Sequence, residues 1–200
     1  MLNWKSFAQP GAPADAIAPL KLQRSMNNIG AIFMGEISLT AIKLLFLLGL
    51  TLHNIEEAIW LPSWSRYAKK FHEPVGSNEF IFAAIIVTIM GYLLTAVDLI
   101  IGTPGDLINY IYLGFIGMMG ANVIFPHLLA TVVLKKYAPG LLTGILLNLP
   151  FSIIIIYWHL QNGIKFSYLM AAIVIVGILV LSSLKYLFRI GSKLTNYQQI

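Results

Sequence analysis

The chain has 200 residues, of which 58% are hydrophobic and only 10% charged, and its mean hydropathy is +0.80, which excludes an ordinary soluble domain and places it in a membrane. It has no cysteine, so disulfides, thiolate metal sites and cysteine nucleophiles are ruled out, and any metal must be held by nitrogen and oxygen. The formal charge of +5 comes mostly from lysines and arginines between and after apolar runs, a pattern of topology signals that sets nucleic acid aside as a partner and leaves membrane lipids.

Residues 1–35 are expected to form a flexible N-terminal arm, because Gln9-Pro-Gly-Ala-Pro-Ala-Asp15 is made of turn formers and the first residues lack the short apolar core of a secretory signal. Apolar runs then follow near 36–61, 78–101, 107–134, 140–160 and 166–189, each long enough for a bilayer core that about 20 residues cross. Short connections, among them the tight turn Gly102-Thr-Pro-Gly105, predict an all-α polytopic transmembrane helical bundle of about five spans, a single domain over 36–190 with a tail over 191–200.

Arg66, Lys69, Lys70, Lys135, Lys136, Lys185, Arg189 and Lys193 fall on one side of that bundle, and Lys5, Lys21, Arg24 and Lys165 on the other. The positive-inside rule then puts the C-terminus in the cytoplasm and the N-terminus outside a plasma membrane. An odd number of spans without a fixed repeat argues against the inverted halves of many secondary transporters. Gly117-x-x-x-Ala121 and Gly140-x-x-x-Gly144 are small-residue spacings that predict close helix contact.

The first span carries His53-Asn-Ile-Glu56-Glu57 inside hydrocarbon. On a helix, positions i, i+3 and i+4 share a face, so His53, Glu56 and Glu57 must meet a common partner. Unpaired charge in a bilayer is costly enough that pairing, neutralisation or metal coordination is expected. Counting 1.5 Å per residue from the cytoplasmic ends places His53, His127 and Asn148 at a common depth of roughly 12 Å, with the glutamates one turn shallower. Asp98 belongs to another layer, near the far end of the second span, where Lys43 is its expected ion-pair partner. His159 follows Tyr157-Trp158 and is expected at the headgroup level, whereas His72 and Glu73 fall in a solvated loop.

The chain resembles the HXXEE-motif membrane proteins, a domain family of unknown function, in three places: His53-Asn-Ile-Glu56-Glu57, His127 within Phe125-Pro-His127, and the Y-x-P-G motif as Tyr137-Ala-Pro139-Gly140. The resemblance covers roughly residues 50–150 and implies no reaction.

Two histidines and two carboxylates suffice for one divalent ion with an open position, zinc being the best fit and iron the second, with no organic cofactor indicated. On that reading His53, His127 and one of Glu56 and Glu57 hold the ion, and the other glutamate takes a proton from its water, giving metal-dependent hydrolysis of a lipid-like substrate. Asn148 is a candidate to orient a ligand or donate to developing charge, and Tyr137 to stand over the cavity mouth. Pro126 is expected to loosen the third helix beside His127. The competing readings are a proton or metal-ion relay and a scaffold whose polar layer only specifies helix pairing.

Overall fold

The apolar runs fold into five long helices, giving an all-α multi-pass membrane protein. The structure is a computed structural model that describes residues 38–69 and 74–196, without the side chains of 195 and 196. The expected N-terminal arm, with Lys5, Lys21 and Arg24, lies outside the described residues, as do Lys70, His72 and Glu73. The helices are α1 (Leu39–Tyr67), α2 (Ser77–Ile101), α3 (Leu107–Leu134), α4 (Leu141–Gln161) and α5, which runs from Phe166 past residue 190 to Asn196.

α1 continues through Pro62 instead of stopping before it. A proline removes one helix hydrogen bond, and here the last turn is clamped from outside the helix. The Ser65 hydroxyl donates to the Pro62 carbonyl at 2.8 Å and accepts from the backbone N–H of Val75 at 3.2 Å, tying the end of α1 to the approach to α2. At the other end of α2, Asp106 caps α3 by accepting from Asn109 N–H at 2.7 Å and from the N–H and hydroxyl of Thr103 at 2.8 and 2.9 Å.

α3 and α4 are both interrupted. α3 is regular to Asn122, widens into a π-helical turn over Val123–Leu128, and breaks its helical backbone at Phe125 (φ −129°, ψ 114°), next to a cis Phe125–Pro126 bond. It resumes over Leu129–Leu134 and ends at Lys135 in a left-handed conformation. α4 widens likewise over Gly144–Asn148. A one-residue expansion like that of α4 rotates everything beyond it to a new face and recurs at functional sites. α3 packs closely on α5 where it is regular: a Cβ added to Gly114 would lie 2.8 Å from the Ala172 carbonyl oxygen.

Away from the HXXEE layer a second buried network joins four helices. Lys43 Nζ pairs with Asp98 Oδ2 at 2.5 Å, as expected from the sequence. Asn109 Nδ2 donates to Asp98 Oδ1 at 2.8 Å and also meets His159 Nε2 at 3.2 Å, while His159 Nδ1 donates to the Ile155 carbonyl at 2.9 Å. The Nδ1 proton leaves Nε2 as the acceptor, so one Asn109 amide satisfies both neighbours. His159 is thus buried in the bundle and turned toward Asn109 instead of out to the interface. Successive helical residues point about 100° apart, so an interfacial Tyr157-Trp158 pair does not hold its neighbour at the interface.

Removing one partner of a buried pair leaves the other charge uncompensated, at a cost of about 3–5 kcal/mol, whereas removing both is far milder. Lys43→Met should therefore lower the thermal unfolding midpoint in detergent sharply. Lys43→Met combined with Asp98→Leu should recover most of the loss, and a double variant no better than the single one would show that the pair does not act as a unit.

Candidate metal centre

The two glutamates of the motif part company. Glu56 and Glu57 are sequence neighbours, so their side chains leave α1 about 100° apart. Glu56 reaches the connection between α3 and α4, where its carboxylate collects four donors. Oε1 accepts from the Tyr137 hydroxyl and from Gly140 N–H at 2.8 Å, and Oε2 from Thr143 N–H at 3.1 Å and the Thr143 hydroxyl at 2.6 Å. A carboxylate offers about four acceptor sites, so Glu56 is fully engaged. Tyr137 lies in the loop between the spans, where partial desolvation and then the Glu56 carboxylate raise its pKa above the ordinary tyrosine value and keep it a donor.

Gly140 explains the last residue of the Y-x-P-G motif. Its φ of +90° suits glycine, and a Cβ there would stand 2.9–3.0 Å from the His53 ring, the Glu57 side chain and the His127 ring. The loop therefore presses its bare backbone against the site.

Glu57 turns the other way, to the histidines. Its Oε1 lies 2.8 Å from His127 Nε2 and 3.6 Å from His53 Nε2, and the two rings meet edge to face with centroids 5.2 Å apart. The metal-ligating atoms of His53, Glu57 and His127 all fall within 4.8 Å of one another, close enough for one ion to reach all three after small side-chain rotations. Glu56 is not among them.

The tautomer of His53 follows from its neighbours. The Thr143 hydroxyl gives its proton to Glu56, so toward His53 Nδ1, 3.4 Å away, it can only accept. Nδ1 then carries the hydrogen and Nε2 presents a lone pair to Glu57. This His53–Thr143–Glu56 chain is the kind of outer support that fixes a ligating imidazole. Asn122 completes the cluster, with Nδ2 3.0 Å from His127 Nε2 and 3.5 Å from His53 Nε2. Two imidazole nitrogens, a carboxylate oxygen and an amide thus converge within a few ångströms of one another.

Asn148 is fully buried, but neither of its amide atoms bonds to any described residue, and its Oδ1 sits where a Cβ on Gly49 would come within 3.1 Å. Gly49 is one helical turn from His53, which puts Asn148 beside the site and outside its hydrogen-bond network. Sequence reasoning missed Asn122 and Thr143. Asn122 stands five residues before His127, about 140° away on a regular helix, and the two meet only because the helix breaks between them at Phe125. A threonine in an apolar helix carries no signal of its own.

A pocket of about 860 Å³ adjoins the cluster. Glu57, Asn122 and His127 form part of its wall with Asn54, and aliphatic and aromatic side chains of α1, α2, α3 and α5 line the rest.

The sequence model of the family described as "Protein of unknown function with HXXEE motif" matches residues 44–155. A relative, the uncharacterized protein YrkK of Bacillus subtilis (strain 168), is 49% identical over 151 residues, which make up 75% of this chain and 95% of that protein. No solved structure matches the chain.

Hydrogen bonds to a charged group contribute about 1.5–3 kcal/mol each, so Glu56→Gln should destabilise more than Tyr137→Phe, which removes one donor of the four. In a double-mutant cycle read by thermal unfolding, the two changes should couple by more than about 0.5 kcal/mol. Strict additivity would mean that the Tyr137 hydroxyl and Glu56 carboxylate do not bond in the folded protein.

Proposed function

The chain belongs to the HXXEE family, whose description assigns no reaction, and from its site we propose that it is a metal-dependent intramembrane enzyme that hydrolyses a lipid-like substrate. The observation that carries the reading is the convergence of His53 with Glu57 and His127, the last two on the wall of an apolar pocket within membrane-spanning helices. Two histidines and a glutamate are a donor set with which zinc keeps an open position, and iron is the second choice.

In this proposal His53 and His127 hold the ion through Nε2 and Glu57 through Oε1. When bound, the ion supplies a nucleophile at neutral pH by lowering the pKa of its water toward about 7. Glu57 doubles as the proton acceptor, because Glu56 is spent on the α3–α4 connection. Glu56 acts through Thr143, holding His53 in the tautomer that leaves Nε2 free. The Asn122 amide, on the pocket wall, donates to the substrate's carbonyl oxygen as charge develops there.

Arg66, Lys69, Lys135, Lys136, Lys185, Arg189 and Lys193 gather at the helix ends nearest the Y-x-P-G loop, which supports a site on the cytoplasmic side of a plasma membrane with the N-terminus outside. A proton or metal-ion relay draws on the second buried network, but Phe46, Leu50, Phe115 and Ile116, all fully buried, fill much of the core beside it.

Protein purified without a histidine tag should contain about one zinc per chain by elemental analysis, lost in His53→Ala and in His127→Ala. Asn122→Ala should keep the metal while hydrolysis of fluorogenic long-chain esters falls about 10²-fold. If no transition metal co-purifies, and none binds in a way that the two histidine substitutions abolish, the metal-enzyme reading fails.

A further inference from the structure

We infer that the pocket beside His53, Glu57 and His127 takes a single aliphatic chain, admitted sideways from the bilayer between α3 and α5, and that Gly177 sets how deep the chain reaches. The inference rests on the proposed reading of the site, and it names the substrate class and a residue that selects within it.

α3 and α5 form a fork. They pack backbone to backbone at Gly114 and Ala172, and the break at Phe125 falls on the stretch of α3 that lines the pocket beyond this close contact. The pocket occupies the gap. Along α5 it extends from Ile173 to Phe188, about 22 Å at 1.5 Å per residue, so it is long rather than round. At its open side Phe125, Ile178 and Leu181 are 69%, 61% and 63% exposed, on helices long and apolar enough to lie among lipid chains. A bilayer offers such a wall one abundant partner, an aliphatic chain, and the polar side chains Asn54, Glu57, Asn122 and His127 mark where its functional group stops.

Gly177 lies on the pocket wall facing Met118, one helical turn from Asn122. Its lack of a side chain is not a packing requirement. A Cβ at Gly114 would collide with the Ala172 backbone, whereas a Cβ at Gly177 would meet only Met118 Cγ within 4 Å, at an ordinary contact distance of 3.4 Å. Glycine inside a helix is destabilising by roughly 0.5–1 kcal/mol relative to alanine, so its presence here leaves room for something outside the chain. A larger residue at this position shortens the pocket without disturbing the fork.

The test uses the full chain in nanodiscs, with Trp4, Trp60 and Trp158 replaced by Phe so that Trp64, on the pocket wall, reports alone. Dibrominated fatty acids of long and medium chain length should both quench its fluorescence. Gly177→Phe should weaken the long-chain acid at least tenfold and leave the medium-chain acid within twofold, while Gly177→Ala changes neither and controls for folding. Zinc binding, measured in parallel, separates this inference from the reading it rests on. Chain discrimination without zinc binding leaves the pocket standing and removes the metal. Unchanged zinc binding in Gly177→Phe with both acids bound as before, or no quenching in the parent, overturns the proposal.

Discussion

A carboxylate inside a bilayer must be surrounded by donors, and the attachment of Glu56 to the Tyr137–Thr143 segment is the constraint on which the rest of the site depends. It fixes the loop between α3 and α4 against the middle of α1. That in turn brings Gly140 onto the two imidazoles and Glu57, a place only a residue without a side chain can fill. It also orients Thr143 toward His53. The two motifs are therefore the two halves of one contact, with the HXXEE pentapeptide supplying the anion and the Y-x-P-G loop the donors. Once Glu56 is satisfied there, Glu57 is the carboxylate left for the histidines.

The irregular turns of α3 and α4 serve the same site from the other side. A regular α3 would turn Asn122 away from His127, and the break at Phe125 lets them come within 3.0 Å. The same stretch of α3 lines the pocket on whose wall the site lies. One departure from regular helix geometry thus accompanies both the ligand cluster and the apolar approach to it, as expected where backbone that breaks a membrane helix is buried in protein or lines a cavity.

The Lys43–Asp98–Asn109–His159 network satisfies the same physical demand in another layer. Each polar atom there meets a partner within the chain, and the shared Asn109 amide leaves no lone pair in conflict. The HXXEE layer instead gathers two imidazoles and a carboxylate whose ligating atoms all lie within 4.8 Å of one another. That contrast, and not burial alone, separates a candidate centre of chemistry from a fastening of helices.

Hydropathy alone determined the helical class and the number of spans, since a bilayer admits no other use for such runs of apolar residues. The spacing of His53, Glu56 and Glu57 determined that all three face protein and need partners, and the charge of Lys43 and Asp98 was enough to pair them. Helical periodicity could not say which glutamate joins the histidines, because neighbours on a helix diverge and the choice depends on where a loop 81 residues away comes to rest. Nor could it place Asn122, Thr143 or His159, whose directions depend on widened turns and on packing around the full turn of each helix. The sequence by itself determined the polar inventory of the membrane interior, because hydrocarbon makes every such residue conspicuous. Only the tertiary structure decided how that inventory divides into the His53–Glu57–His127 cluster and the Lys43–Asp98–Asn109–His159 network, because that division depends on distances of a few ångströms between different helices.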